Sequence, residues 1–307
     1  MSGPVEPKDA ACQDEDLAGI EVREGRRASV GGMRIARVLP TKGRRTVGAW
    51  CFTDLILPAD GLDPDPMEIG PHPHIGLATV TWLLDGEAVH SDSLGTEQVI
   101  RPGQLNLMTA GHGVAHAELG APAPLRGVQM WIAQPEHTRH GASAFEHHAD
   151  LPRVDLGTGE ASVLVGSLGH ATSPARADTP LVGADVTLRA GTTQIPAVEG
   201  FEYAVVPLDG RVKVGVDIVE HGWLALVPPG RRRLPVEVAG EGARFMVLGG
   251  EPLGEQVVMW WNFVGRDRAE LTAAWRAWAD HDEDRFGPVP SRLDRMEAPA
   301  PPWHLDS

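Results

Sequence analysis

Leu77-Ala78-Thr79-Val80-Thr81-Trp82-Leu83-Leu84-Asp85-Gly86 and Phe201-Glu202-Tyr203-Ala204-Val205-Val206-Pro207-Leu208-Asp209-Gly210 read as two versions of one segment. Each is an apolar run of strand length, rich in β-branched and aromatic residues, that ends on Leu-Asp-Gly, a hairpin-turn signal. Downstream, Pro102-Gly103 introduces Gln104-Leu105-Asn106-Leu107-Met108, and His221-Gly222 introduces Trp223-Leu224-Ala225-Leu226-Val227. Gly86 and Gly210 lie 124 positions apart, Gly103 and Gly222 119, so the two copies differ by a five-residue loop change. Such a repeat predicts an all-β chain made of two antiparallel jelly-roll barrels in tandem.

The rest of the chain extends this pattern. From Gly19 onward, short apolar runs (33–39, 47–52, 98–100, 127–132, 161–165 and 245–248) alternate with Gly, Pro and Asp. The 36 glycines and 26 prolines among 307 residues suit turns between short strands better than long helices. Residues 1–18, polar and acidic, predict a disordered tail. An N-terminal barrel is expected over 19–145 and a second over 156–255, with a His- and Pro-rich gap near 134–155. Residues 256–307 form a C-terminal extension. Leu271, Trp275 and Trp278 recur there at helical spacing, which predicts a helix over 267–280 with the two tryptophans docked as core.

Charge excludes one class of partner. With 27 basic against 42 acidic residues the formal charge is −15, which argues against direct nucleic-acid binding, since phosphates need a basic face. The basic run Arg231-Arg232-Arg233 between Pro229 and Pro235 reads as a solvated turn. No signal peptide opens the sequence, and no apolar run approaches the ~20 residues needed to span a bilayer. A cytoplasmic protein with no membrane contact is the expectation. Cys12 lies in the tail; Cys51 lies in an apolar run and reads as a buried small hydrophobe, so no disulfide is expected.

The chemistry concentrates at His72-Pro73-His74 and His116-Ala117-Glu118. In a strand, residues i and i+2 share a face, so each pair can aim both side chains into a barrel. Three imidazoles and a carboxylate suit one divalent first-row metal: Fe, Mn, Ni, Cu or Zn. On an octahedral ion four protein ligands leave two positions open, whereas a structural zinc site is closed and usually rich in cysteine. Mapping by the two offsets puts Pro196 and Val198 at the first pair and Pro235 and Glu237 at the second. Three of four ligands are thereby lost, and the second barrel is expected to be degenerate and to bind no metal.

These residues resemble the pirin family of the cupin superfamily. The likeness runs from Val47-Gly48 and Pro58-Ala59-Asp60 through Pro71-His72-Pro73-His74-Ile75-Gly76 and His90-Ser91-Asp92-Ser93-Leu94-Gly95. It continues over Val99–Gly103 and Met108-Thr109-Ala110-Gly111 to Glu118, with a second block from Gly250 to Glu255 and Trp261-Asn262-Phe263-Val264. The resemblance implies two double-stranded β-helix barrels, with Fe(II) in the first held by His72, His74, His116 and Glu118. It also implies either of two activities. One is a quercetin 2,3-dioxygenase-type reaction on a flavonol-like substrate and O2, in which Glu118 is the catalytic residue and accepts the substrate's hydroxyl proton. The other is metal-dependent regulation through a protein partner, a transcription factor or metabolic enzyme. A metal that only stiffens the barrel is a third reading. One departure is His112, where relatives commonly carry Arg; it can line the site mouth or face solvent. His90 reads as a ligand-orienting residue or a core histidine, and His137, His140, His147 and His148 as parts of a solvated linker.

Overall fold

The computed structural model describes residues 19–30, 33–56, 67–121 and 125–304, so the tail expected over 1–18, with Cys12, lies outside the described residues. The first strands are β1 (Glu21–Glu24), β2 (Arg26–Val30), β3 (Met33–Leu39), β4 (Trp50–Ile56), β5 (Glu68–His74) and β6 (Leu77–Asp85). β7 (Ala88–Asp92), β8 (Glu97–Ile100), β9 (Leu105–Thr109), β10 (Val114–Gly120), β11 (Arg126–Ala133) and β12 (Ala144–His148) follow. The second half holds β13 (Arg153–Asp155), β14 (Gly159–Leu168), β15 (Ala171–Thr172), β16 (Leu181–Leu188), β17 (Gly191–Pro196) and β18 (Glu202–Asp209). It continues with β19 (Arg211–Val214), β20 (Asp217–Glu220), β21 (Trp223–Val227), β22 (Arg233–Val238) and β23 (Ala243–Gly250). The extension contributes β24 (Val258–Trp260), β25 (Phe263–Gly265) and one α-helix, α1 (Arg268–Ala279). No helix among the described residues is long and apolar enough to cross a membrane.

The fold is the all-β pair of tandem barrels that the repeat predicts. In the first, the sheet β12-β9-β6-β11-β4-β3-β2 faces the sheet β5-β10-β7-β8. In the second, β1-β21-β18-β23-β16-β14-β13 faces β17-β22-β19-β20. The two large sheets pack on each other. That packing explains why the repeated strands lack alternation: β6 and β18 are buried on both faces. Along β6, Val80, Trp82 and Leu84 enter a core shared with Ala204, Val206 and Leu208 of β18. The residues between them face their own barrel interiors, as Leu83 and Val205 do.

Polar groups lock this interface. The Trp50 indole donates to the Val182 and Gly249 carbonyls at 3.0 and 3.2 Å. A Cβ on Gly183 would lie 2.6 Å from the same ring, so the sheets can approach only because Gly183 has none. Asp185 is buried, accepts from the Trp82 indole at 2.9 Å and pairs with Arg244 at 2.6 Å. Cys51 is free and buried, and burial pushes its thiol up to about 12.

Both ends of the described chain cross between barrels. β1 completes the second barrel, pairing antiparallel with β21 from Glu21↔Leu226 to Glu24↔Trp223. The extension returns to the first barrel, where Phe263 bridges Ile75 and packs with Leu271 and Trp278. α1 starts at Asp267, whose side chain accepts from the Glu270 amide, and ends at Asp280. Trp278 is buried; Trp275 is partly covered, and its indole donates to the Ala298 carbonyl.

The stretch read as a linker near 134–155 holds two strands. β12 pairs with β9 along its whole length, and β13 pairs with β14. β12 is an edge strand half-covered on both sides, so it carries no apolar alternation to read. His147 there lies 2.7 Å from Asn106 Oδ1, and His148 is 3.0 Å from Glu146. Arg231 is likewise not solvated: it is buried, and its guanidinium donates to the Pro228 carbonyl.

Candidate metal centre

β5 and β10 are neighbours and bring the two histidine motifs together, with His116 opposite His72 and Val114 opposite His74. The register slips between His116 and Glu118, a bulge that re-aims the end of β10. Gly70 lies in the facing part of β5. A Cβ there would lie 2.1 Å from the Asp294 carbonyl oxygen, so the residue must be glycine for the extension to close over the strand. His72, His74, His116 and Glu118 are all buried.

The hydrogen bonds of the three imidazoles set their tautomers. His72 Nδ1 donates to the Gly70 carbonyl at 2.9 Å, and His74 Nδ1 to the Asn262 carbonyl at 3.0 Å. His116 Nδ1 lies 3.3 Å from His90 Nδ1, and His90 Nε2 lies 2.9 Å from Asp92. His90 therefore donates to Asp92 through Nε2 and accepts from His116 through Nδ1. Every ligand imidazole is left with its lone pair on Nε2.

The three imidazoles gather at one point. One ligand atom from each of the three histidines lies within 4.8 Å of the others, and the Nε2 atoms of His74 and His116 are 3.1 Å apart. With both protons on Nδ1, these two nitrogens cannot hydrogen-bond to each other. Two nitrogens at right angles on an ion with bonds of about 2.1 Å stand about 3.0 Å apart, so the donor set fits a cation. Burial keeps the ligands neutral. It draws His72 down to about 4, against the opposing Gly70 bond, and draws His74 and His116 well below their ordinary value.

Glu118, expected as the fourth ligand, lines the same cavity but is not among the residues whose ligand atoms gather within 4.8 Å of one another. Burial raises its carboxyl above the ordinary range, against His90 and the Thr81 hydroxyl, which lies 3.3 Å from Oε1. Asp92 is also buried, but hydrogen bonds from His90 and the Thr96 amide overcome that burial and hold its carboxyl low. The cavity measures about 390 Å³, at the small end for a drug-sized ligand, and Phe52, Ile69, Trp131 and Met296 form much of its apolar wall.

Sequence reading missed the contribution of the extension. Trp261 and Asn262 form the two-residue turn between β24 and β25, Asn262 holds His74, and Trp261 lines the cavity. Their signal was the Trp-Asn pair between two short apolar runs. His112 is exposed and does not line the cavity; its carbonyl accepts from Arg285 at 3.2 Å.

The second barrel corrects the mapping by offsets. In β22, Val236 faces Thr193 of β17, and Leu234 faces Ile195, as His116 faces His72 and Val114 faces His74. Val238 faces Val212 of β19, as Glu118 faces His90. The counterparts of the four residues are thus Thr193, Ile195, Val236 and Val238, all buried. Pro235 and Glu237 lie one residue off, and such a slip turns a side chain to the other face. Glu237 accordingly sits on the surface, paired with Lys213 at 2.8 Å.

Comparison with known proteins gives the same architecture. Residues 32–132 match the family model Pirin, and residues 183–286 match Pirin C-terminal cupin domain. A Pseudomonas aeruginosa relative provisionally named quercetin 2,3-dioxygenase is 44% identical over 90% of this chain and 89% of its own. A pirin-like protein of Caulobacter vibrioides is 36% identical, covering 88% and 98%. The crystal structure of quercetin 2,3-dioxygenase from Acinetobacter baumannii superposes with a TM-score of 0.89 at 39% identity, covering 95% and 97%.

Proposed function

The chain belongs to the pirin family, and from that premise we propose that it is a cytoplasmic dioxygenase of flavonol-like substrates that uses one divalent metal, iron(II). In this reading His72, His74, His116 and Glu118 are the ligands, β2 to β12 form the metal-bearing barrel, and β1 with β13 to β23 form a degenerate one. The observation that carries it is the gathering of three buried imidazoles, with ligand atoms within 4.8 Å of one another, at a cavity that Glu118 also lines.

When bound, the metal would be held by His72, His74, His116 and Glu118 and would supply a Lewis acid that polarises the hydroxyl and carbonyl oxygens of a flavonol. The protein's own groups do the rest. Glu118 would take the substrate's hydroxyl proton at the carboxylate oxygen that does not face the metal. Phe52, Trp131 and Trp261 flank an aromatic substrate and keep water from it.

Protein purified without chelator or affinity histidines, then loaded with iron(II), tests the reading. Quercetin absorbance should fall with matching O2 uptake. Glu118→Gln, normalised to metal content, should lower kcat about 10²-fold. No flavonol loss under O2 would overturn the assignment.

A further inference from the structure

A second cleft, about 1000 Å³, opens beside the histidine-lined cavity, and Arg37, Phe52, Trp131 and Trp261 line both. Phe52 and Trp131 stack with ring centroids 4.0 Å apart, and the Arg37 guanidinium lies 4.3 Å from the Phe52 centroid. The His74 ring meets Trp131 edge-on at 5.3 Å. A continuous series of ring contacts therefore runs from the outer cleft to a residue of the metal centre. Trp261 takes part in this boundary with φ at 52°, a left-handed conformation that a bulky side chain adopts only where its surroundings enforce it.

The charge of the outer cleft runs against that of the molecule. In a chain of net −15, the cleft is lined by Arg26, Lys42 and Arg45 as well as Arg37, with Glu24 as its one acidic residue. Asp54 neutralises Arg37 through a two-bond pair of 2.7 and 2.6 Å. The other three cations are exposed. Among the described residues none of them has a carboxylate within salt-bridge distance, and Arg45 reaches only the Val257 carbonyl, at 3.4 Å. A local excess of positive charge beside an apolar cavity attracts an anion on an otherwise aromatic ligand.

We propose that the substrate is a flavonol-like aromatic with an anionic arm. Its oxygen-bearing ring enters the histidine-lined cavity, and its arm rests on Arg26, Lys42 and Arg45. This rests on the flavonol reading above and adds the charge class of the ligand. The full-length, metal-loaded protein, kept free of O2, is titrated with quercetin and with quercetin 5′-sulfonate, and indole fluorescence reports binding. The sulfonate should bind about tenfold more tightly at low salt and lose much of that advantage at about 0.15 M, where the Debye length is about 8 Å. Arg26→Glu combined with Lys42→Glu should abolish the preference. Equal affinity for the two probes, or an equal loss for both in the charge-reversed variant, overturns the inference and leaves the flavonol reading standing. If neither probe binds, both fall. If the sulfonate is preferred but admitting O2 consumes no flavonol, the enzymatic reading falls and the charge assignment stands.

Discussion

His72 and His74 hand their Nδ1 hydrogens to the main chain, at Gly70 and Asn262, where no side-chain substitution can remove the acceptor. His116 differs: its partner is the side chain of His90, which Asp92 holds in turn. His90 is thus a positioning residue, and the orientation of one ligand depends on it. Outer partners of this kind typically change metal affinity 10–100-fold. His90→Ala should weaken metal binding by about that factor in a competitive titration. His90→Asn, which keeps an acceptor near the Nδ1 position, should restore part of it. A purely structural role for His90 would lower the melting temperature of the metal-free protein in both variants and leave metal affinity unchanged.

At the scale of elements, the β24–β25 hairpin is what the first barrel lacks on its own. Val264 donates its amide to the Ile75 carbonyl at 3.2 Å, which fixes the hairpin against the β5–β6 turn and sets Asn262 under His74. Gly76 makes that approach possible: its φ is 65°, and a Cβ would lie 2.2 Å from the Val264 carbonyl oxygen. Gly76→Ala should cost about 1–3 kcal/mol in urea unfolding from left-handed strain and displacement together. It should also weaken metal binding, because the displaced strand carries the acceptor of His74. Unchanged metal affinity in a folded Gly76→Ala protein would separate the hairpin from the site. This hairpin also shows where sequence reading stops. The His-Pro-His and His-Ala-Glu motifs were legible because period-two spacing alone puts each pair on one face. The repeat was legible because β6 and β18 are buried on both faces and so stand out as apolar runs. The turn of Trp261 and Asn262 was legible only as part of the family resemblance, since its role comes from docking on a barrel far away in sequence. The ligand counterparts in the second barrel were displaced for a related reason: loops of different length separate the strands, so no constant offset keeps the facing of each residue.

At the scale of the molecule, the two barrels cannot be taken apart without exposing a core. Trp50, Val80, Trp82 and Met130 of the first share one apolar cluster with Leu164, Val206, Leu226 and Leu248 of the second. Full burial of each such side chain is worth roughly 1.5–3 kcal/mol, which separating the barrels would forfeit. The crossed ends add to it, since β1 extends the sheet of the second barrel and the extension closes the cavity of the first. Arg139 of the first barrel pairs with Glu270 of α1, and Arg266 pairs with Glu255, so the extension is held by charge as well as packing. Unfolding either barrel removes a strand or a wall from the other, which couples them into one cooperative unit. Calorimetry of the metal-free protein should therefore show a single transition with equal calorimetric and van't Hoff enthalpies. Metal held at a hundred times its dissociation constant should stabilise that whole transition by about 2.7 kcal/mol, although its candidate ligands all lie in the first barrel. Two transitions, with only one moved by metal, would mean that the shared core does not bind the barrels into one folding unit and that the second barrel folds independently of the site.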